Sequence, residues 1–582
     1  EATLGERVIA NCKNLKTIRL SNNIISIGPS LIYGTKVESI TIPKSVTGSG
    51  WSYEGGNGQI GALNNDQYLK EIIFEEGTET IPAYIASGAQ CVERIIIPDG
   101  VKTIENRAFC NALNLSQIIL PESILTIGEY AFYNAANLSQ ITLPKNLQVI
   151  GEYAFYNTTN LKQITLPEGI KKIGYYAFAK SGLTNLTIPG SITMLEYNAF
   201  SESQLVSVKF CDGDEYTEAT LGSSIFKNCE NLETIRLSNN IISIGPSFIY
   251  GTKVKSIIIP KSVKESGGGS LGGALENDQY LQEIIFEEGT EIIPDYIAAG
   301  ATGVENIVIP DGVKTIGSGA FARSGLTSIS IPGSVMEVGE AAFSESQLVS
   351  AEFCDGDEDI EVTLGKSIFR NCENLRSVKL SENVVSIGSG LIYGTKVKSI
   401  TIPKSVKASG WEFYSEEGAL YNESYLKEII FEEGIEVIPS HIASGAQCVE
   451  RIVIPEGIKT IEDHAFYRTT NLTQIMLPEG VKKIGYYAFA GSGLTKVMIP
   501  ASVNGIEQNA FYNCSNLTIY GIVGSYAEIY AKENNIPFVG QEPVRLPFSI
   551  AEITAPAYNK LKISWSTYEE ANGYAIYLMN DD

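Results

Sequence analysis

Tyr130, Tyr153 and Tyr176 recur every twenty-three residues, each two residues before a phenylalanine, and Tyr133 and Tyr156 follow three residues on. Rings exposed at such spacing would offer faces and phenol hydroxyls to sugar rings or to a protein partner. The plainer expectation is that each ring merely lies over its neighbour. Trp51, Tyr53, Trp411, Phe413 and Tyr414 form a second aromatic set, carried by the Gly/Ser-rich stretches TGSGWSYEGGNGQIG and KASGWEFYSEEG. Large aromatics on flexible protrusions either bind something or fold back. A third stretch at the same place in the pattern, KESGGGSLGG, has none.

Other chemistries find less support. Asp212, Asp214, Glu215 and Glu218, in FCDGDEYTEA, and Asp355, Asp357, Glu358 and Asp359, in FCDGDEDIEV, carry carboxylates that could ligate Ca²⁺. Neither stretch has the D-x-D-x-D-G order, so both read as solvated acidic loops and no metal is expected. The two histidines, His441 and His464, have no nucleophile–base set around them, so neither catalysis nor a cofactor is expected. His464 replaces a tyrosine of the repeated column, which makes it a surface residue first. Of nine cysteines, Cys12, Cys229, Cys372 and Cys514 share a column where other units carry Ala112, Ala135 or Thr158. A column of Cys, Ala and Thr reads as a small buried slot for structural thiols. Cys91, Cys110, Cys211, Cys354 and Cys448 fall elsewhere and form no C-x-x-C pair, so neither disulfides nor metal are expected.

The elements that must position these residues are one pattern, repeated. LPESILTIGEYAFYNAANLSQI from Leu120 returns as LPKNLQVIGEYAFYNTTNLKQI from Leu143 and as LPEGIKKIGYYAFAKSGLTNL from Leu166. Counting from the residue before each proline position, about twenty-one such coils run from Leu20 to Ile499, mostly twenty-two or twenty-three residues apart. Repeats of this period signal a solenoid, in which each unit packs only on its neighbours and none folds alone. L-x-x-I-x-L alternates as a short strand, proline ends it, the I-G glycine is expected to allow a turn, and A-F fills the interior. Stacked at about 4.8 Å per coil, the array would be roughly 100 Å long. The tyrosines would then form a ladder. Thr142, Thr165 and Thr187, flanked by Gln117, Gln140 and Gln163, would line the sheet face opposite the core.

A larger duplication lies over the small one. The stretch from Thr3, TLGERVIANCKNLKTIRLSNNIISIGPSLIYGTKV, returns nearly unchanged from Thr220 and from Thr363. The first block exceeds the second by 74 residues, which three coils and a five-residue loop difference explain. From Ile519 the pattern gives way to a stretch with a helical look over 525–534. Residues 1–540 therefore read as the solenoid with a C-terminal cap at about 519–540, followed by a linker at 541–547. In 548–582, Lys560 to Trp565 and Gly573 to Leu578 alternate as strands.

The coil pattern L-P-x-x-φ-x-x-I-G-x-x-A-F-x-N-C-x-N-L, with φ apolar, resembles the BspA-like, or Treponema pallidum type, leucine-rich repeats, from residue 1 to about 540. The segment KLKISWSTYEEANGYAIYL resembles the start of a fibronectin type III domain, cut short. The resemblance implies an extracellular, cell-attached protein with a binding or adhesive role, and it supplies no fixed set of binding residues. Composition agrees: a net charge of −24 argues against nucleic acid, and no apolar run approaches the ~20 residues of a membrane span. Residue 1 falls inside a repeat and residue 582 inside another domain, so the chain reads as a fragment whose attachment signal lies elsewhere. The expectation is a β-rich leucine-rich-repeat solenoid, not an enzyme, that binds a protein or glycan on a host or neighbouring cell. The alternatives are a structural stalk or spacer and a recognition module of a larger extracellular enzyme.

Overall fold

A computed structural model describes residues 1–54, 58–64, 67–214, 216–269, 272–276, 280–412, 418–422, 424–541, 550–557 and 560–565. The chain winds as a parallel β-solenoid of about 23 turns with almost no helix. One parallel ladder is built from the L-x-x-I-x-L strands. Gln117–Ile119 pairs with Gln140–Thr142 in the register Gln117↔Gln140 and Ile118↔Ile141. The alternation decides the faces: Ile118 and Leu120 are buried, whereas Ile119 is 82% exposed.

The return segment carries a second ladder that the pattern did not announce. Two-residue strands at the φ-x-x-I position, such as Thr126–Ile127 and Val149–Ile150, pair coil to coil. Nine strands of this second ladder form one sheet from Thr80–Ile81 to Glu265–Ser266. Between the ladders, the proline carbonyl closes the corner: the Ile124 N–H donates to Pro121 O at 3.2 Å. In the A-F stretch, alternate N–H groups serve different ends. Those of Tyr130, Phe132 and Asn134 donate to Glu152, Ala154 and Tyr156 of the next coil at 2.7–2.8 Å, while those of Ala131, Tyr133 and Ala135 close turns within the coil. No backbone donor of the stretch is wasted.

The expectation about the turn needs correcting. The I-G glycines are not there for a turn, because Gly128, Gly151 and Gly174 do not adopt positive φ. A Cβ on Gly151 would stand 2.7 Å from the backbone of both Glu129 and Gly128, so the glycine lets one coil rest on the backbone of the last. Glu105, Glu196, Glu462 and Glu507 take the same position elsewhere, so a small shift can admit a side chain. The left-handed positions are two others. Tyr130, Tyr153 and Tyr176 have φ of 53–56°, and Asn134, Asn157 and Lys180, four residues on, have φ of 58°. Asn suits that region, and Asn134 and Asn157 add side-chain hydrogen bonds along their column, at 2.9 Å from Asn134 to Asn111 and 2.6 Å from Asn157 to Asn134.

Inside, the phenylalanines stack without interruption from Phe109 to Phe226, with centroids 5.0–5.8 Å apart. Towards the C-terminus the helix Tyr526–Glu533 buries Ala527, Tyr530 and Ala531. Tyr530 continues the interior stack at 6.0 Å from Phe511, and its hydroxyl accepts a 3.4 Å hydrogen bond from the Phe511 N–H. Thr518–Ile522 and Phe538–Gln541 add two more parallel strands to the first ladder. They account, with the incomplete first unit, for turns beyond the twenty-one read from the sequence. Further on, Ile550–Ala557 pairs antiparallel with Lys560–Trp565. Gly573 to Leu578 lies outside the described residues.

Candidate functional site

The tyrosines do form a ladder. Tyr130, Tyr153 and Tyr176 stack at 4.7 and 4.9 Å with planes 11° apart, and Tyr133 and Tyr156 stack beside them at 5.0 Å and 4°. The rings are half-buried, because each covers the next, and burial raises the phenol pKa of Tyr130, Tyr133, Tyr153 and Tyr176. Both ends of the stack are also covered. The Arg107 guanidinium lies 4.0 Å from the centre of the Tyr130 ring, and Tyr197 meets Tyr176 edge-on at 5.7 Å. Ring faces are therefore consumed by stacking, and what the column shows to solvent is a strip of edges and hydroxyls. Ser224, Ser247 and Ala341 hold the same left-handed position in other coils, so the coil imposes the backbone, and tyrosine tolerates it for the sake of the stack.

The loop tryptophans fold back onto this column. Trp51 stacks on Tyr84 at 5.7 Å and 24°, and Trp411 on His441 at 4.6 Å and 27°. The second column continues through His464, 4.8 Å from His441, to Tyr487 at 5.4 Å. His464 thus sits inside an aromatic stack, half-buried, and is not simply a surface residue. In the middle block, Gly268 stands where the tryptophans do, and a Cβ there would come within 2.6 Å of Tyr296. Tyr53 lies in the strand Ser52–Glu54, which pairs with Gly58–Ile60. Its side chain, and Phe413 and Tyr414 altogether, fall outside the described residues.

The acidic loops are tied to neighbouring coils. Asp214 accepts from the Thr217 hydroxyl at 2.7 Å and the Tyr216 N–H at 3.1 Å, which lowers its pKa. Asp212 accepts from the Asn239 N–H at 3.2 Å, and Asp355 from the Glu382 N–H at 2.9 Å. Asp357, Glu358 and Asp359 lie in the second loop and Glu218 in the first, while Glu215 is outside the described residues. Among the described residues no three His, Cys, Asp or Glu side chains gather as a metal site.

The sequence reading missed the outward face of the first ladder. It followed the threonines and glutamines and passed over apolar residues at the same outward position. Ile73 pairs with Ile96, Ile258 with Ile285, Ile285 with Val308, Ile430 with Val453, and Met476 with Met498. Ile119, Val308 and Met476 are 82, 80 and 81% exposed. One such file falls in each block, separated by polar coils with Thr142, Thr165, Thr187, Lys209 and Arg236, or with Glu352, Lys379 and Thr401, at that position. The signal was present as R-I-I-I-P, Q-I-I-L-P, N-I-V-I-P and Q-I-M-L-P, in which the middle apolar residue of each run must face out.

A family model described as a BspA type leucine rich repeat region of six copies matches residues 2–52, 60–181, 148–274, 271–362, 291–418, 358–449 and 436–533. The chain belongs to the BspA-type leucine-rich repeat family. It is similar to a leucine-rich repeat protein from Bacteroides ovatus, at 22% identity and a TM-score of 0.32 over 85% of this chain and 98% of that one. A leucine rich cell surface protein from Faecalibacterium prausnitzii matches at 17% identity and a TM-score of 0.24 over 91% and 85%. A T. pallidum leucine rich repeat protein matches at 20% and 0.20 over 36% and 72%. No curated protein matches the chain.

BspA-type repeats are generally non-catalytic and typically found at the cell surface. Among the described residues no helix is long and apolar enough to cross a membrane. Among the described residues no cysteine of this BspA-type chain is in a disulfide, and the nine divide by burial. Cys229 and Cys372 fill the expected slot, where the thiols donate to Phe200 O at 3.1 Å and Phe343 O at 3.0 Å. Burial pushes both thiols, and that of Cys110, up to about 11. Cys514 is only half-buried and Cys12 is exposed, so the slot reading fails for Cys12. Titration with a disulfide reagent at pH 8 is expected to label Cys12 rapidly and to leave Cys110, Cys229 and Cys372 unmodified until the chain is unfolded. Mass spectrometry of the labelled peptides checks this, and early labelling of Cys229 would contradict the slot.

Proposed function

We propose that this chain is a non-catalytic recognition protein of the cell surface that holds a protein partner against the outward face of its first β-ladder. The observation that carries this reading is the three files of exposed aliphatic side chains, with Ile119, Val308 and Met476 each at least 80% exposed. Apolar surface in contiguous files marks an interaction site, because covering it with a partner's apolar groups releases water. The files recur once per block, so one partner with repeated contacts, or several copies of it, would gain avidity from weak individual grips. The polar coils between the files set register. The tyrosine column, whose ring faces are already covered, supports the reading less.

An array of extracellular-matrix proteins and glycans tests it, probed with the wild-type chain and with the triple variant Ile119→Glu, Val308→Glu, Met476→Glu. The expected result is capture of a matrix protein that the triple variant loses. Capture unchanged in the variant would move the site off this face. No capture at all would leave the spacer as the better account.

A further inference from the structure

Two cations stand side by side on the first ladder where the first block gives way to the second. Lys209 pairs in register with Arg236, one coil on, and both side chains are exposed. Like charges directly opposite on neighbouring strands repel. At the junction of the second and third blocks the same two positions hold Glu352 and Lys379, in the same register and joined by a 2.7 Å ion pair. The first junction is thus a salt bridge with one charge reversed. Lys253 and Lys255 add two more cations from the following coil, and with Arg236 they line a cleft of about 980 Å³, in a chain of net charge −24. Among the described residues none of these four cationic side chains has an ion-pair partner. Three carboxylates also line the cleft. Asp212 accepts from the Asn239 N–H at 3.2 Å and Glu287 from the Lys261 N–H at 3.1 Å, which leaves Glu233 to offset four cations.

Apolar surface adjoins these charges. Along the outward row, coil by coil, the residues read Lys209, Arg236, Ile258, Ile285, Val308. Ile258 is 56% exposed, lines the cleft with Arg236, and pairs in register with Ile285. In the other two files a threonine, Thr41 or Thr401, stands before the first isoleucine, so only here do two cations lead directly into the aliphatic file. Cations of this kind pair with carboxylates, and exposed isoleucines are covered by a partner's apolar side chains. A sulfated glycan would satisfy the cations and leave the isoleucines in water. A peptide supplies both groups. We infer that the strand face at Lys209, Arg236 and Ile258 grips an acidic segment of a protein partner in which carboxylates stand beside aliphatic side chains, which rests on the strand-face reading above and gives that partner its chemistry.

Fluorescence anisotropy of labelled, end-blocked peptides with the full chain tests the inference. The probes are Glu-Glu-Ile-Val-Ile, its glutamine analogue Gln-Gln-Ile-Val-Ile, and Glu-Glu-Ser-Gly-Ser. The wild type is expected to bind the first saturably, to prefer it over the other two, and to lose affinity as salt is raised. Lys209→Glu, which rebuilds the ion pair of the next junction, should weaken the acidic aliphatic peptide about tenfold or more, the worth of a charge-assisted hydrogen bond, and leave the glutamine analogue unchanged. Lys379→Glu, the same change of charge at the other junction, should leave both unchanged. Ile258→Thr, which installs the residue found at Thr401, should weaken both. All three positions are exposed, so lost binding is separable from lost structure. The inference is overturned by no saturable binding of the acidic aliphatic peptide, by equal affinity for its glutamine analogue, by unchanged affinity in Ile258→Thr, or by a Lys209→Glu effect no larger than that of Lys379→Glu. Tighter binding of a heparin hexasaccharide than of this peptide would overturn the peptide class. A matrix protein whose capture is lost in the triple variant Ile119→Glu, Val308→Glu, Met476→Glu but unchanged in Lys209→Glu would overturn the acidic segment and leave the strand-face reading standing.

Discussion

Replacing Phe155 with alanine is expected to cost about 3–5 kcal/mol, the range for emptying a large aromatic site in a packed core. Phe155 is fully buried and stacks on both sides, at 5.2 Å from Phe132 and 5.0 Å from Phe178. A globular core can partly collapse around such a hole. Here the coil spacing is fixed by the second β-ladder on both sides and by the N–H of Phe155, which donates to Ala177 O at 2.7 Å, so the cavity stays open. Coupling in a solenoid runs only between neighbours, so the loss should appear locally. Hydrogen exchange is expected to quicken in the coils of Phe132, Phe155 and Phe178 while those near Phe343 stay protected, and denaturant unfolding should broaden as the array splits at the weakened coil. Ile32, Ile249 and Ile392 hold the Phe155 position in other coils, so Phe155→Ile should cost much less. A cost under about 1 kcal/mol for the alanine variant, or loss of protection spread evenly along the chain, would show that the phenylalanine stack is not what couples the coils.

That locality also explains what could be read in advance. Ile118, Leu120, Phe132 and Leu138 sit at positions whose burial the coil dictates, so their types repeat and the repeat betrays the fold. The I-G glycine repeats as faithfully, yet its reason lies in the preceding coil: what Gly151 avoids is the backbone of Gly128 and Glu129, which no single unit contains. The left-handed position was hidden by its occupants. Asn198, Gly319, Gly390 and Asn509 hold it in four coils, but Tyr, Arg, His, Ser and Ala hold it in most of the others, so no consistent glycine or asparagine announced it. The fold-back of Trp51 onto Tyr84 joins residues separated by a whole protruding loop, and no periodicity links them. The apolar files escaped because I-I-L reads as a buried run unless the alternation is followed strictly, at which point Ile119 must face out. Core columns thus reveal architecture, and the free columns carry what distinguishes one coil from another.

Acidification is expected to loosen the third block's aromatic column between about pH 6.5 and pH 4. His441 is sandwiched between Trp411 at 4.6 Å and His464 at 4.8 Å, the two imidazoles only 6° from parallel. Burial first, and then the neighbouring His464, lower its pKa from the ordinary 6.5 to about 4, against the opposing pull of Asp463. The unfolded chain takes up this proton near pH 6.5 and the folded one only near pH 4. Between those values the unfolded state binds more protons, so stability rises with pH there. The contribution is complete above about pH 6.5 and is lost as pH falls towards 4. Because the ring is half-exposed, solvent screening reduces its worth to about 1–2 kcal/mol. A charged imidazole also repels its stacked neighbour, so the contact that holds the loop through Trp411 should open first. His441→Tyr installs the residue found at Tyr84, which supports Trp51 in the same way, and removes the imidazole. Tryptophan emission and denaturant midpoints, taken from pH 7 to pH 4 in both chains, isolate the effect as a difference, since the many carboxylates titrate in each. The wild type should lose more stability than the variant across that window, with a red shift in emission that the variant lacks. Parallel pH profiles in the two chains would show that the stacked histidines do not govern how this loop is held.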